Sequence, residues 1–418
     1  MSAVADGRPP GLRPTWAEID LAAVRHNAGL LRRLAAPALL CAVVKADAYG
    51  HGTVPVAAAA LEGGATWLAV ALVEEGIALR DAGIDAPVLV LSEPTPDAMA
   101  AVVGRGLTAT VYTPAGVAAA ARAAAAAGTV LGVHVKVDTG MHRVGAGPAD
   151  VVAVVEAVRA APALRFDALW SHLAVADSVE GDDRDFTLDQ LRLFDETRAA
   201  LAAAGLDPPM VHVANSAGAI CYPGARLDMV RCGIALYGVV PAPAIAGVLA
   251  AQPAVAATGG LRPVLSLRSE VSLLRTLDAG ERPSYGRRRP LAHRSVVATV
   301  PVGYADGVPR RYCSAAGTVL IGGRRRPLAG TVTMDQIVVD CGPDPSVSVG
   351  DEVVLIGRQG AEELTVQDWA DALGTIGNEV LTEIGSRVPR VLVDTGPAHR
   401  HDDGPDGDEA DGDDKERA

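Results

Sequence analysis

The chain has 418 residues, 49% of them hydrophobic and only 3% aromatic, and a formal net charge of −13. That length exceeds one ordinary domain and suits two, with cores built from Ala, Val, Leu and Ile. Residues 402–418 carry nine acidic and two basic residues, so −7 of the charge sits there and −6 in the rest, which argues against a nucleic-acid footprint.

Residues 1–14 read as a flexible N-terminus, with no apolar stretch of the kind a secretory signal needs. Over the next 240 residues, apolar runs alternate with Ala-rich helical stretches. Strands are expected at 39–45, 66–71, 87–91, 107–112, 130–137, 165–172, 210–214 and 227–231. Helices fill the gaps; 114–127 is the plainest, and 73–83 and 185–205 each stop at a glycine. Continuous apolar strands joined by crossover helices are buried on both faces. Eight such units over residues 15–255 predict an α/β fold, a (β/α)8 TIM-type barrel, with a doubly wound open sheet as the alternative. Residues 241–260 form an Ala/Pro/Gly connector. Beyond it, strand-like runs at 264–277, 295–302, 317–321, 330–340, 352–356 and 390–394, with one helix near 366–373, predict a mostly β C-terminal domain over 256–395. The triplets Arg287–Arg289 and Arg324–Arg326 read as solvated turns. The Asp-rich tail, 396–418, lacks core-forming residues and is expected to be disordered. No run of about 18 apolar residues is uninterrupted, which excludes a membrane-spanning helix. The five cysteines, at 41, 221, 232, 313 and 341, show neither metal-ligand nor redox spacing and fit a reducing cytoplasm.

Chemistry in such a barrel sits at the C-terminal ends of its strands. Lys45 ends the first strand. Lys136, Asp138 and Arg143 lie at and after the fifth, and His172 ends the sixth. Asn215 and Ser216 follow the seventh; Arg231 ends the eighth, just before Gly233 and Ile234. Each has a plain structural reading: a solvated lysine, a core histidine, a helix cap, an ion-pair partner. Their joint placement on one rim favours a site. A lysine at the mouth of an apolar strand loses proton affinity through desolvation and becomes a nucleophile able to form a Schiff base. Ser216, Gly233 and Ile234 offer a hydroxyl and backbone N–H groups to a phosphate. A phosphate cradle with a Schiff-base lysine implies pyridoxal 5'-phosphate.

The runs AVVKADAYGHG (42–52), VHVKVDTGMHRVG (133–145), SHLAVAD (171–177), HVANSAG (212–218), MVRCGIALYG (229–238), PSYG (283–286), VGYADG (302–307) and MDQ (334–336) occur in an order that resembles the alanine racemase family. The resemblance spans about 15–390. It implies that Lys45 carries the cofactor and is one proton-transfer base, with Tyr285 the other. It implies that Tyr49, Asn215, Ser216, Gly233 and Ile234 surround the cofactor, that Arg231 faces its pyridine nitrogen, and that His172 links Arg231 to the tyrosine. Arg143 would border cofactor and substrate carboxylate, and Tyr304, Met334 and Asp335 would line the substrate entrance. Lys136 would be the position carbamylated in many members. The family implies a homodimer that shares its sites between subunits, a 15–19 strand pairing with the second domain, and a product, D-alanine, used in peptidoglycan.

Two bases on opposite faces of a flattened substrate suit racemisation, and nearby cationic character must lower the phenol of Tyr285 for neutral pH. Arg231, unlike an acid, would leave the pyridine nitrogen neutral. This separates the reading from an amino-acid decarboxylase, expected to place an acid there. A racemase of wider range, acting on serine or basic amino acids, is the second alternative. A non-catalytic carrier on the same barrel would lack the second domain, and an interaction protein would leave Lys45 inert. The sequence departs from the family pattern at His142, where glycine is usual, and at Ser386, where some members place a phosphate-binding tyrosine.

Overall fold

The computed structural model describes residues 12–344 and 346–395. The acidic tail 396–418 and most of the N-terminal stretch, 1–11, lie outside the described residues. The first strand, β1 (Thr15–Asp20), precedes eight barrel strands: β2 (Leu39–Val43), β3 (Trp67–Val70), β4 (Val88–Val90), β5 (Thr108–Val111), β6 (Leu131–Lys136), β7 (Leu164–Trp170), β8 (Val211–His212) and β9 (Met229–Cys232). Every barrel pairing is parallel, in the order β8-β7-β6-β5-β4-β3-β2-β9. Between β8 and β9, Asp228 N–H donates to Val211 O at 3.1 Å and Arg231 N–H to Ala214 O at 3.0 Å, which closes the ring. Strands β2, β3 and β4 are apolar because both faces are covered: residues 40–44, 68–70 and 88–90 are all buried.

Local chemistry sets the helix starts. Asp20 accepts from the Ala22 and Ala23 N–H groups to open Leu21–Ala35. Thr113 caps Pro114–Ala126, which begins with Pro114 at a helical position where a missing N–H costs nothing. The long helix Gly181–Ala203 follows β7. The expected connector holds two short helices, Ala246–Ala250 and Pro253–Thr258.

The second unit contains β10 (Leu265–Glu270), β11 (Leu273–Leu277), β12 (Ser295–Val300), β13 (Thr318–Ile321), β14 (Arg324–Pro327), β15 (Ile337–Asp340), β16 (Glu352–Gln359), β17 (Glu362–Leu364) and β18 (Arg390–Val393). One sheet runs β14-β13-β16-β10-β1-β18, with β17 on β16; the other runs β11-β12-β15. β1 pairs antiparallel with β10 and parallel with β18, so the chain's first strand belongs to the second unit's sheet. Three expectations change here. The run 264–277 is two strands in different sheets. Of 330–340 only the last four residues are strand. The Arg324–Arg326 triplet is no solvated turn: it pairs with β13, and Arg326 tucks against the Cys341 carbonyl at 2.7 Å and salt-bridges Asp344. Among the described residues no helix is long and apolar enough to cross a membrane.

Candidate active site

β2 ends at Val43, and the chain then enters an unusual turn, Lys45–Gly50. Ala46, Asp47, Ala48 and Tyr49 all have φ between 52° and 54°, one turn of left-handed helix. L-residues resist this conformation by roughly 1–2 kcal/mol each, so neighbours must impose it. The Ala46 N–H donates to Glu75 at 2.6 Å, and Asp47 accepts from the Thr53 N–H at 3.0 Å. The His51 Nδ1 lies 2.9 Å from both the Ala48 and Tyr49 carbonyls. Arg390 on β18 donates its Nε–H to Gly50 O at 2.8 Å and spends its other donors on the carbonyls of Ile384, Gly385 and Val388. The turn thus locks the barrel to the second unit and directs Lys45 and Tyr49 into one cavity.

That cavity, of 480 Å³, lies at the C-terminal ends of the barrel strands. Ten of the residues singled out in the sequence line it: Lys45, Tyr49, Lys136, Arg143, His172, Asn215, Ser216, Arg231, Gly233 and Ile234. So do Leu91, Ser92, Trp170, Asp177, Ile376 and Asn378, which the sequence did not flag. Ser92, Asp177 and Asn378 each sit on a loop or helix start, where polar residues are routine. Tyr285, Tyr304, Met334 and Asp335 do not line the cavity. Tyr285, Tyr304 and Met334 are 69%, 41% and 51% exposed, unusual for large apolar side chains. Backbone contacts to 331–334 hold them together: Thr331 Oγ1 donates to Tyr285 O at 2.8 Å, and the Tyr304 N–H to Thr333 O at 3.0 Å. Asp335 pairs with Arg387 at 2.8 Å. Ser386 is exposed and does not reach the cavity.

The cavity is lined by Lys45, Lys136, Arg143 and Arg231, and burial lowers the proton affinity of its bases. Burial lowers the pKa of Lys45, and Arg143 lowers it further. Burial, then Arg231 and Arg143, bring Lys136 down to about 7; its ammonium position is 4.4 Å from the Trp170 ring centre. Burial and then Arg231 push His172 well down. Arg231 is 3% exposed, and its partners among the described residues are neutral acceptors, with no carboxylate. They are His212 Nδ1 at 2.8 Å, His172 Nδ1 at 3.1 Å, and the carbonyls of Ser171 (2.9 Å) and Val213 (3.1 Å). Its Nε–H has no protein acceptor among the described residues. Burial draws even this guanidinium down to about 10.

The far wall of the cavity is polar and tight. Ser216 Oγ accepts from the Gly233 N–H at 3.0 Å, so that N–H, expected to be free, is shared within the protein. Asn215 caps its own helix at Gly218 N (2.9 Å) and donates to Leu173 O at 3.2 Å. A Cβ on Gly233 would come within 2.4 Å of the Tyr49 hydroxyl, so only glycine allows Tyr49 to approach. His142, where glycine is usual, has φ 54°, the region in which glycine is least strained.

Residues 19–241 match the family description "Alanine racemase, N-terminal domain" and residues 264–392 "Alanine racemase, C-terminal domain". The chain belongs to the alanine racemase family. It is therefore an amino-acid racemase, an isomerase. It is 46% identical to an alanine racemase of Symbiobacterium thermophilum, over 91% of this chain and 97% of that protein. It is 43% identical to one of Thermobifida fusca, over 90% and 97%. Among solved structures, the alanine racemase of Streptomyces coelicolor superposes with a TM-score of 0.84 at 40% identity, covering 94% of this chain and all of that one. The Bacillus anthracis enzyme, solved with bound L-Ala-P, gives 0.84 at 36% identity, covering 93% and 97%.

Proposed function

We propose that this chain interconverts L-alanine and D-alanine with pyridoxal 5'-phosphate as cofactor. The observation that carries the reading is the pairing, in one cavity, of a half-buried lysine with a buried arginine that has no carboxylate partner and a spare Nε–H among the described residues. The wall opposite fits a phosphate, with the Ser216 hydroxyl, the backbone at Gly233 and Ile234, and the Tyr49 hydroxyl all bordering it. Asn215 steadies that wall through its cap. Lys45 would hold the aldehyde end, and Arg231 would face the ring nitrogen. Bound there, pyridoxal phosphate supplies the electron sink that makes the substrate Cα–H bond acidic.

The remaining work falls to side chains. Lys45, whose proton affinity burial and Arg143 lower, takes or returns the Cα proton on one face. Tyr285 of a second copy serves the other face, with Tyr304, Met334 and Asp335 beside it at the substrate's route in. The exposure of Tyr285, Tyr304 and Met334 supports a homodimer whose partner covers them. His172 passes the influence of Arg231 toward that phenol. Arg143 binds the substrate carboxylate. An amine with a pKa of about 7 is largely unprotonated above neutrality, which suits Lys136 to add carbon dioxide: its nitrogen bonds to the carbon and one proton leaves. The resulting carbamate would offset the charge of Arg143. The enzyme would work in the cytoplasm, and the D-alanine it forms would supply peptidoglycan.

Purified protein with pyridoxal phosphate should convert L-alanine faster than L-serine or L-lysine when each mixture is resolved by chiral chromatography. Faster turnover of serine or lysine would transfer the assignment to a broad-specificity racemase; loss of carbon dioxide from the substrate would transfer it to a decarboxylase.

A further inference from the structure

Two imidazoles lie behind Arg231, away from the cavity. His212 on β8 and His134 on β6 are both 0% exposed. Arg231 Nη1 is 2.8 Å from His212 Nδ1, and His212 Nε2 is 3.1 Å from His134 Nδ1. The direction of this chain follows from valence. A guanidinium only donates, so His212 Nδ1 accepts and its proton sits on Nε2. That N–H donates to His134 Nδ1, so the proton of His134 sits on Nε2. The opposite tautomer of His212 would set one donor against another at 2.8 Å.

The far end completes the arrangement that Arg231 imposes. His134 Nδ1 is the acceptor for the Nε2–H of His212; without it that hydrogen would be buried and unpaired, which is costly. Packing holds the rings in place. His212 stacks on Trp170 at 5.5 Å and 13°, and Trp67 lies 5.3 Å from His134 at 45°. Arg231 rests over the same Trp170 ring at 4.6 Å. Since no carboxylate touches Arg231, its orientation depends on these neutral acceptors. The chain ends inside the barrel. His134 Nε2 has no partner among the described residues, and neither does the buried hydroxyl of Thr110, its register partner on β5.

We propose that His134 is a positioning residue: its Nδ1 accepts the Nε2–H of His212, so it steadies the tautomer that Arg231 requires and the acceptor that orients Arg231 toward the cavity. Its catalytic consequence rests on the reading of Arg231 as the group facing the cofactor's ring nitrogen.

Two measurements test this. Side-chain spectra of protein labelled with nitrogen-15 histidine, with His212 assigned by the signals lost in His212→Asn, should show His212 neutral with its proton on Nε2. A His212 that is charged, or carries its proton on Nδ1, would overturn the proposal. In kinetics, His134→Leu removes the acceptor, whereas His134→Asn keeps an oxygen near the Nδ1 position. The leucine variant should lose about tenfold in kcat with KM changed less than about twofold, and the asparagine variant should recover to within about threefold of the parent. Equal losses in both, or none in the leucine variant, would also overturn it. A parent protein inactive on every amino acid would sink the racemase reading alone, and the tautomer spectra would still decide the role of His134.

Discussion

Burial moves the Lys136 amine from its ordinary 10.5 to about 7, so between those values the folded protein binds fewer protons than the unfolded chain. Stability must then rise with pH across that window, by up to about 1.4 kcal/mol per pH unit from this one group. Below pH 7 the penalty of holding a buried, charged amine near Arg231 and Arg143 is fully present. In carbon-dioxide-free buffer, Lys136→Met should show a flatter stability profile between pH 7 and 10 than the parent, read by denaturant unfolding. Parallel profiles would mean that Lys136 reaches water. With carbon dioxide supplied, native mass spectrometry should detect the added mass of one such molecule in the parent and none in the variant. His142 gives a second test. Its φ of 54° disfavours β-branched side chains, so His142→Val should cost about 1–2 kcal/mol in thermal unfolding while His142→Gly costs less than about 0.5. At this scale the sequence showed Lys45, His172 and Arg231 because polar residues ending apolar strands stand out. It hid Ser92, Asp177 and Asn378, which look like any loop or helix-start residue until the fold brings them to the cavity wall.

The left-handed turn after Lys45 was invisible in the sequence. Ala46 and Ala48 are strong helix formers, and their own propensity points to the right-handed form; the adjacent His51 and the distant Glu75 and Arg390 impose the left-handed one. An inversion of the usual propensity follows. Ala46 is exposed with φ 53°, so Ala46→Gly should stabilise the protein by up to about 1 kcal/mol. Ala118, exposed inside the right-handed helix Pro114–Ala126, should lose about 1 kcal/mol on the same change. Calorimetric melting of the two variants settles the sign; destabilisation of similar size in both would show that the turn is not strained. The eight barrel strands could be read because burial on both faces leaves unbroken apolar runs. β14 could not, because three arginines and a proline carry no strand signal; β13 and the Asp344 loop recruit them. Helix Gly377–Glu383 was missed for want of apolar length, yet it packs on the turn: a Cβ on Gly50 would lie 2.9 Å from Leu381 O.

For the whole molecule, the two halves of the proposed chemistry lie on different surfaces of one chain. Lys45 is inside the cavity, while Tyr285 stands 69% exposed on the second unit. An isologous dimer resolves this if each cavity takes its lysine from one copy and its tyrosine from the other. The arrangement makes a quantitative demand. Lys45→Ala and Tyr285→Phe should each be nearly inactive alone. Mixed in equal amounts and allowed to exchange subunits, half of the dimers would be hybrids. Each hybrid has one cavity with both bases and one with neither. Activity should therefore recover to about a quarter of the parent's. The recovered rate should fall again on dilution, as hybrids dissociate. If both residues served a cavity within one chain, no mixture of the two variants could restore racemisation at any ratio, because each chain would still lack one base.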